Sequence, residues 1–198
     1  MMNNSIDTGK RRFLTAAASV VGGAGAVAVA IPFVSSVAPS AKAEAAGAPV
    51  QIDISQLELG QLLTVEWRGK PVWVFRRTTE VLETLPTLDD ELRDPQSEVA
   101  QQPEYCQNET RSIRDEIMVM VGICTHLGCS PTYRPEIAPA DLGDDWKGGF
   151  FCPCHGSRFD MAGRVYQGVP APTNLEVPPY HFQGDNIVIV GEHAQGAA

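Results

Sequence analysis

Two short loops constrain this chain of 198 residues more than any other part of it. The first reads Cys124-Thr125-His126-Leu127-Gly128-Cys129 and the second Cys152-Pro153-Cys154-His155-Gly156-Ser157. Each supplies one thiol and one imidazole, at Cys-x-His and Cys-x-x-His spacing, so a fold that brings the loops together collects two Cys and two His around one point. A 2Fe-2S cluster in which imidazoles replace thiolates on one iron takes that set, and so does a tetrahedral zinc ion. One further cysteine in each loop, Cys129 and Cys154, could join the two loops as a disulfide. A zinc site has no evident use for that extra pair.

Both loops resemble the cluster-binding boxes of Rieske iron-sulfur proteins, and within them of the Rieske subunits of cytochrome bc complexes, which read C-T-H-L-G-C and C-P-C-H-G-S. The resemblance also takes in Trp67-Arg68-Gly69-Lys70-Pro71-Val72-Trp73, similar to an early strand pair of that family's head. Gly168-Val169-Pro170-Ala171-Pro172-Thr173-Asn174-Leu175 is similar to its proline-rich loop over the cluster. It implies one 2Fe-2S cluster with Cys124 and Cys152 on one iron and His126 and His155 on the other, and a disulfide between Cys129 and Cys154. It implies further that His155 meets a quinol at a site formed with cytochrome b, that the electron passes to a c-type cytochrome, and that Leu127 and the proline loop shield the cluster. Ser157 matches a family serine whose hydroxyl donates to a cluster sulfur and raises the potential. Phe159 stands where mitochondrial members carry Tyr, so one hydroxyl donor is missing. The other function considered is a soluble Rieske ferredoxin serving another oxidoreductase, a type without the anchor, the second cysteine pair and the proline loop.

No charged residue occurs from Phe13 to Ala41, and Leu14 to Val37 is long enough to cross a bilayer as a helix. Its Gly and Ala permit close helix packing. Lys10, Arg11 and Arg12 precede it, so the positive-inside rule places residues 1–12 in the cytoplasm, the span at 13–37 in a bacterial inner membrane, and the rest in the periplasm. A disulfide persists in that compartment. Lys10-Arg11-Arg12-Phe13-Leu14-Thr15 resembles a twin-arginine export signal, suited to a protein that folds around its cofactor before crossing. Ala41-Lys42-Ala43 and Ala43-Glu44-Ala45 look like cleavage sites, but the apolar run exceeds the usual signal-peptide core and favours a retained anchor contacting membrane lipid.

Residues 38–49 carry no large apolar side chain and read as a tether. Beyond them the pattern is short strands, giving an all-β fold class: an antiparallel Rieske-type sandwich at 50–198, with a small cluster-binding subdomain over about 122–174. Strands are expected at 62–67 and 71–76 around the Arg68-Gly69-Lys70 turn, and at 117–121, 149–151 and 187–190. A short helix is expected at 79–85. Residues 89–114 read as an irregular insertion, and 131–147 as a long acidic excursion between the boxes. The net charge of −9 argues against a nucleic-acid partner. His181 and His193 lack partner spacing and read as surface or packing residues, and Cys106 is an unpaired fifth cysteine.

Overall fold

The computed structural model describes residues 7–40, 43 and 47–194. It divides into an N-terminal unit, 1–45, and a head, 46–198. Residues 41, 42 and 44–46 of the expected tether, and with them most of the two cleavage-like sequences, lie outside the described residues.

Helix α1 runs Thr8–Ser35, starting ahead of the uncharged segment because Asp7 caps it early: one carboxylate oxygen accepts from the N–H groups of Gly9 and Lys10 at 3.0 Å each. Its 28 residues extend about 42 Å at 1.5 Å each, against about 30 Å of bilayer hydrocarbon. The helix is therefore long and apolar enough to cross a membrane, and none of its side chains is buried.

Among the described residues the head holds nine strands in three antiparallel sheets: β1 (Val50–Asp53), β9 (Ile187–Val190) and β8 (Tyr180–Gln183) in that order; β2 (Leu62–Trp67), β3 (Lys70–Arg76) and β4 (Ile117–Val121); and β5 (Thr132–Arg134), β6 (Gly149–Cys152) and β7 (Ser157–Phe159). Strands β2 (Leu62–Trp67) and β3 (Lys70–Arg76) form the expected hairpin. Its two-residue turn has positive φ at Arg68 (52°) and Gly69 (71°), which matches the twist of the flanking strands. The run Ile117-Met118-Val119-Met120-Val121 is β4, buried at all five positions as a continuous apolar strand must be. Strand β1 (Val50–Asp53) pairs with β9 (Ile187–Val190), and β9 with β8 (Tyr180–Gln183). The third sheet, β5 (Thr132–Arg134), β6 (Gly149–Cys152) and β7 (Ser157–Phe159), carries the second box in the turn between β6 and β7.

The expected short helix is α2 (Thr79–Thr84), capped by the Thr78 hydroxyl and followed by a 3-10 segment, Leu85–Glu91. The acidic segment 131–147 is not a free excursion. It starts as β5, and its Leu142 and Trp146 bury with Leu88, Leu92 and Tyr166 in a second small core, against which Phe151 and Val169 pack. Arg134 clips the segment, donating to Asp141 at 2.8 and 2.9 Å and to Glu136 at 3.1 Å, while the Trp146 indole N–H donates to the Arg134 carbonyl at 3.1 Å.

Candidate metal centre

The two boxes close by the same local device. Box one leaves β4 and turns so that Gly128 N–H donates to the Cys124 carbonyl at 3.0 Å; box two leaves β6, and Gly156 N–H donates to the Cys152 carbonyl at 2.9 Å. Both glycines have left-handed φ, 83° and 79°, with open space where a Cβ would sit, so backbone conformation rather than crowding requires glycine there. Box one is closed again by Cys124 N–H on the Cys129 carbonyl at 2.7 Å, and box two by the pairing of Cys152 with Ser157.

These turns bring the named side chains together. Cys124 and Cys152 are free thiols, both 2% exposed. Burial, together with the adjacent Cys124, pushes the Cys152 thiol above its ordinary pKa. A thiol so placed stays protonated unless a bound cation displaces the proton. The imidazoles of His126 and His155 meet edge-on at 4.7 Å between centroids, His126 half-buried and His155 exposed. Cys129 and Cys154 are joined as a disulfide, Cα atoms 6.7 Å apart. Their sulfurs and that of Cys152 lie within 4.8 Å of one another, but two of the three are oxidised, so this trio is a strut beside the site and not a ligand set. Leu127, at 70% exposed, projects from box one. Two buried thiols and two touching imidazoles on facing loops suit a 2Fe-2S group with mixed ligation.

A third loop, Gly168 to Leu175, is tied to both boxes by one hydroxyl from each. Thr125 Oγ1 donates to the Thr173 carbonyl at 2.7 Å, and Ser157 Oγ accepts from Ala171 N–H at 3.0 Å. Buried Asn174 anchors the loop from behind, accepting from Val165 N–H and donating to the Asp94 carbonyl.

Residues 49–180 match the Rieske [2Fe-2S] domain family. This chain belongs to the Rieske family. That membership decides for the cluster over a zinc ion. Residues 1–40 of this Rieske chain match the TAT-signal family of the ubiquinol-cytochrome c reductase Fe-S subunit. Over 192 residues it is 59% identical to the ubiquinol-cytochrome c reductase iron-sulfur subunit of Allochromatium vinosum, covering 97% of this chain and 93% of that one. The subunit of the same name from Blastochloris viridis is 41% identical, covering 96% of both chains. The mitochondrial Rieske subunit of the cytochrome b-c1 complex from Chlorocebus aethiops is 40% identical, covering 90% of this chain and 58% of that one.

Several groups that shape the Rieske site were not singled out from sequence. Thr125 sits inside box one, yet nothing local shows that it reaches the proline loop. Arg111 is fully buried and donates to the carbonyls of Ala162 (3.0 Å) and Leu175 (2.8 Å) and to Gln102 Oε1 (3.0 Å), pinning the irregular 89–114 segment beneath that loop. Burial draws its pKa down to about 10. Asp160 and Arg164, both buried, follow box two; Arg164 donates to Asp160 at 2.7 Å, to Asp89 at 2.9 Å and to the Leu85 carbonyl at 2.7 Å. Phe159 is fully buried in β7. His193 packs edge-on against Tyr105, and His181 lies 4.0 Å from Glu192; among the described residues neither belongs to a group of three metal-type ligands. Cys106 is fully buried beside the Tyr180 hydroxyl, and burial pushes its thiol up to about 11, so it is not a reactive surface thiol.

Proposed function

We propose that this Rieske chain is the electron-accepting subunit of a bacterial quinol-cytochrome c oxidoreductase, with Cys124 and Cys152 holding one iron and His126 and His155 the other. The observation that carries the reading is His155: an exposed imidazole in contact with that of His126, whose chain neighbour Leu127 is apolar and exposed. A 2Fe-2S cluster with two imidazoles on one iron accepts a single electron at a higher potential than an all-thiolate cluster. His155, ligating through one ring nitrogen, keeps the other free to take a hydrogen bond from a quinol hydroxyl and then its proton, so electron and proton leave the quinol together. Leu127, Pro153 and the proline loop supply an apolar rim that excludes water when the tip docks on a cytochrome b subunit. The electron then passes to a c-type cytochrome.

In this reading α1 anchors the chain in the inner membrane, Lys10, Arg11 and Arg12 keep its start cytoplasmic, and residues 38–49 let a periplasmic head move between donor and acceptor. The anchor-length helix and the disulfide strut favour this over a soluble ferredoxin carrier. The test is low-temperature electron paramagnetic resonance of the reduced, purified protein. A rhombic 2Fe-2S signal of low average g is expected, lost in His126→Ser and in His155→Ser. A normal cluster in both variants would refute the ligand assignment. Separately, assembled complex that oxidises quinol at full rate with a His155 variant lacking the signal would refute the role given to the cluster.

A further inference from the structure

Trp73 lies in β3, far in sequence from either box, yet its ring bears on the strand leading into each. On one side it stacks on Phe150, centroids 4.9 Å apart and planes 16° from parallel. On the other it covers Gly122: a Cβ built there would sit 2.6 Å from Trp73 Cζ2, 2.7 Å from Cδ2 and closer still to Cε2. Gly122 has no positive φ, so it is space for the indole, not backbone conformation, that demands glycine. Gly122 N–H also donates to the Pro71 carbonyl at 2.8 Å, which fixes its distance from β3. The two contacts stand at the same offset from the site, because Gly122 is two residues before Cys124 and Phe150 two residues before Cys152. Trp73 itself is 6% exposed and pairs across β4 with Met120.

We propose that Trp73 is a positioning residue that sets the spacing of the two cysteine arms, with Gly122 and Phe150 as its points of contact. It acts through the strands. An indole filling the gap between the arms holds both thiol-bearing backbones at one separation, and interiors packed this densely pass a change of ring size to their neighbours. This inference rests on Cys124 and Cys152 being ligands, which Cys124→Ser and Cys152→Ser test independently through loss of the cluster.

The experiment compares full-length Trp73→Leu, Trp73→Phe, Gly122→Ala, the double variant Gly122→Ala/Trp73→Leu, and Val188→Ala. Val188 is fully buried in β9, in a sheet that carries neither box, and its truncation serves as a control for lost packing. Each protein is characterised by thermal melting, iron content and a redox titration followed by paramagnetic resonance. Trp73→Leu is expected to change the reduction equilibrium constant at least threefold, about 28 mV at 59 mV per tenfold, and to broaden or shift the g values. Trp73→Phe, which keeps a ring against Phe150, changes them less. Gly122→Ala perturbs both readouts when the indole is present and neither when Trp73 is already Leu. Val188→Ala lowers the melting temperature without moving the potential. If a Trp73 variant holds no cluster while Val188→Ala, equally destabilised, stays loaded, the proposal stands. Wild-type potential and spectra in loaded Trp73→Leu, or changes that track melting temperature in every variant including Val188→Ala, would overturn it and leave Trp73 as ordinary core.

Discussion

Replacing Ser157 with Ala separates two tasks assigned to one hydroxyl. Ser157 Oγ is fully buried and accepts from Ala171 N–H at 3.0 Å, so its own proton remains to be donated elsewhere. The substitution first leaves the N–H of fully buried Ala171 without a partner, a loss of about 1–3 kcal/mol in stability. At about 2–4 °C per kcal/mol for a domain of this size, melting should fall by roughly 2–12 °C. The second expected loss is electronic, on the proposal that the remaining Ser157 proton is donated to a cluster sulfur. A hydrogen bond to a cluster sulfur stabilises the more negative reduced state more than the oxidised one, so removing it makes reduction harder. If that difference is about 1–2 kcal/mol, then at about 1.4 kcal/mol per tenfold and about 59 mV per tenfold for one electron the midpoint falls by about 40–85 mV. Thermal melting and a redox titration of the same preparation read the two losses independently. A lower melting temperature with a midpoint unchanged within about 10 mV would show that the Ser157 proton does not reach a sulfur and that the residue serves only the proline loop.

Phe159 is two residues from Ser157 on β7 and therefore on the same face of the strand; Phe159→Tyr should raise the midpoint by some tens of millivolts, and an unchanged midpoint with full iron content would mean that the ring does not face a ligand sulfur. Arg164→Met strands the buried Asp160 carboxylate and should destabilise the head by about 3–5 kcal/mol in denaturant titration; a loss under about 1 kcal/mol would show that water or another cation replaces the guanidinium. Trp146→Ala should cost about 3–5 kcal/mol and speed amide exchange at Phe151 and Val169, which pack on the core it fills; unchanged exchange at both would uncouple the acidic segment from the cluster loops.

What the sequence discloses about this fold depends on the range of the interaction that makes each part. The β2–β3 hairpin and β4 are legible because their signals are local: a two-residue turn with a glycine, and an unbroken apolar run. The boxes are legible because thiols and imidazoles are chemically scarce, and their glycines mark turns. Strands β1, β5, β7 and β8 have three or four residues each, too few for a period of two to declare itself, and β1 exists because Val50 meets Val190 from the far end of the chain. The acidic segment did carry a signal, Leu142 and Trp146 in polar surroundings, but their partners Leu88 and Tyr166 come from other segments.

The buried arginines were hidden for a related reason, since charged residues are expected at the surface. A site for an inorganic group is built from loops, and loops leave backbone carbonyls that no ladder satisfies. Here the carbonyls of Ala162, Leu175 and Leu85 lie outside any strand, and Arg111 and Arg164, with five donors each, are the side chains that reach them. Irregular backbone thus creates the acceptors that make a buried guanidinium stable. The same holds away from the boxes: fully buried Arg77, just past β3, donates to the Thr110 carbonyl at 2.8 Å and to Ser112 Oγ at 2.6 Å in the irregular 89–114 segment. There Arg111 has no carboxylate bonded to it, and its pKa is drawn down to about 10 by burial.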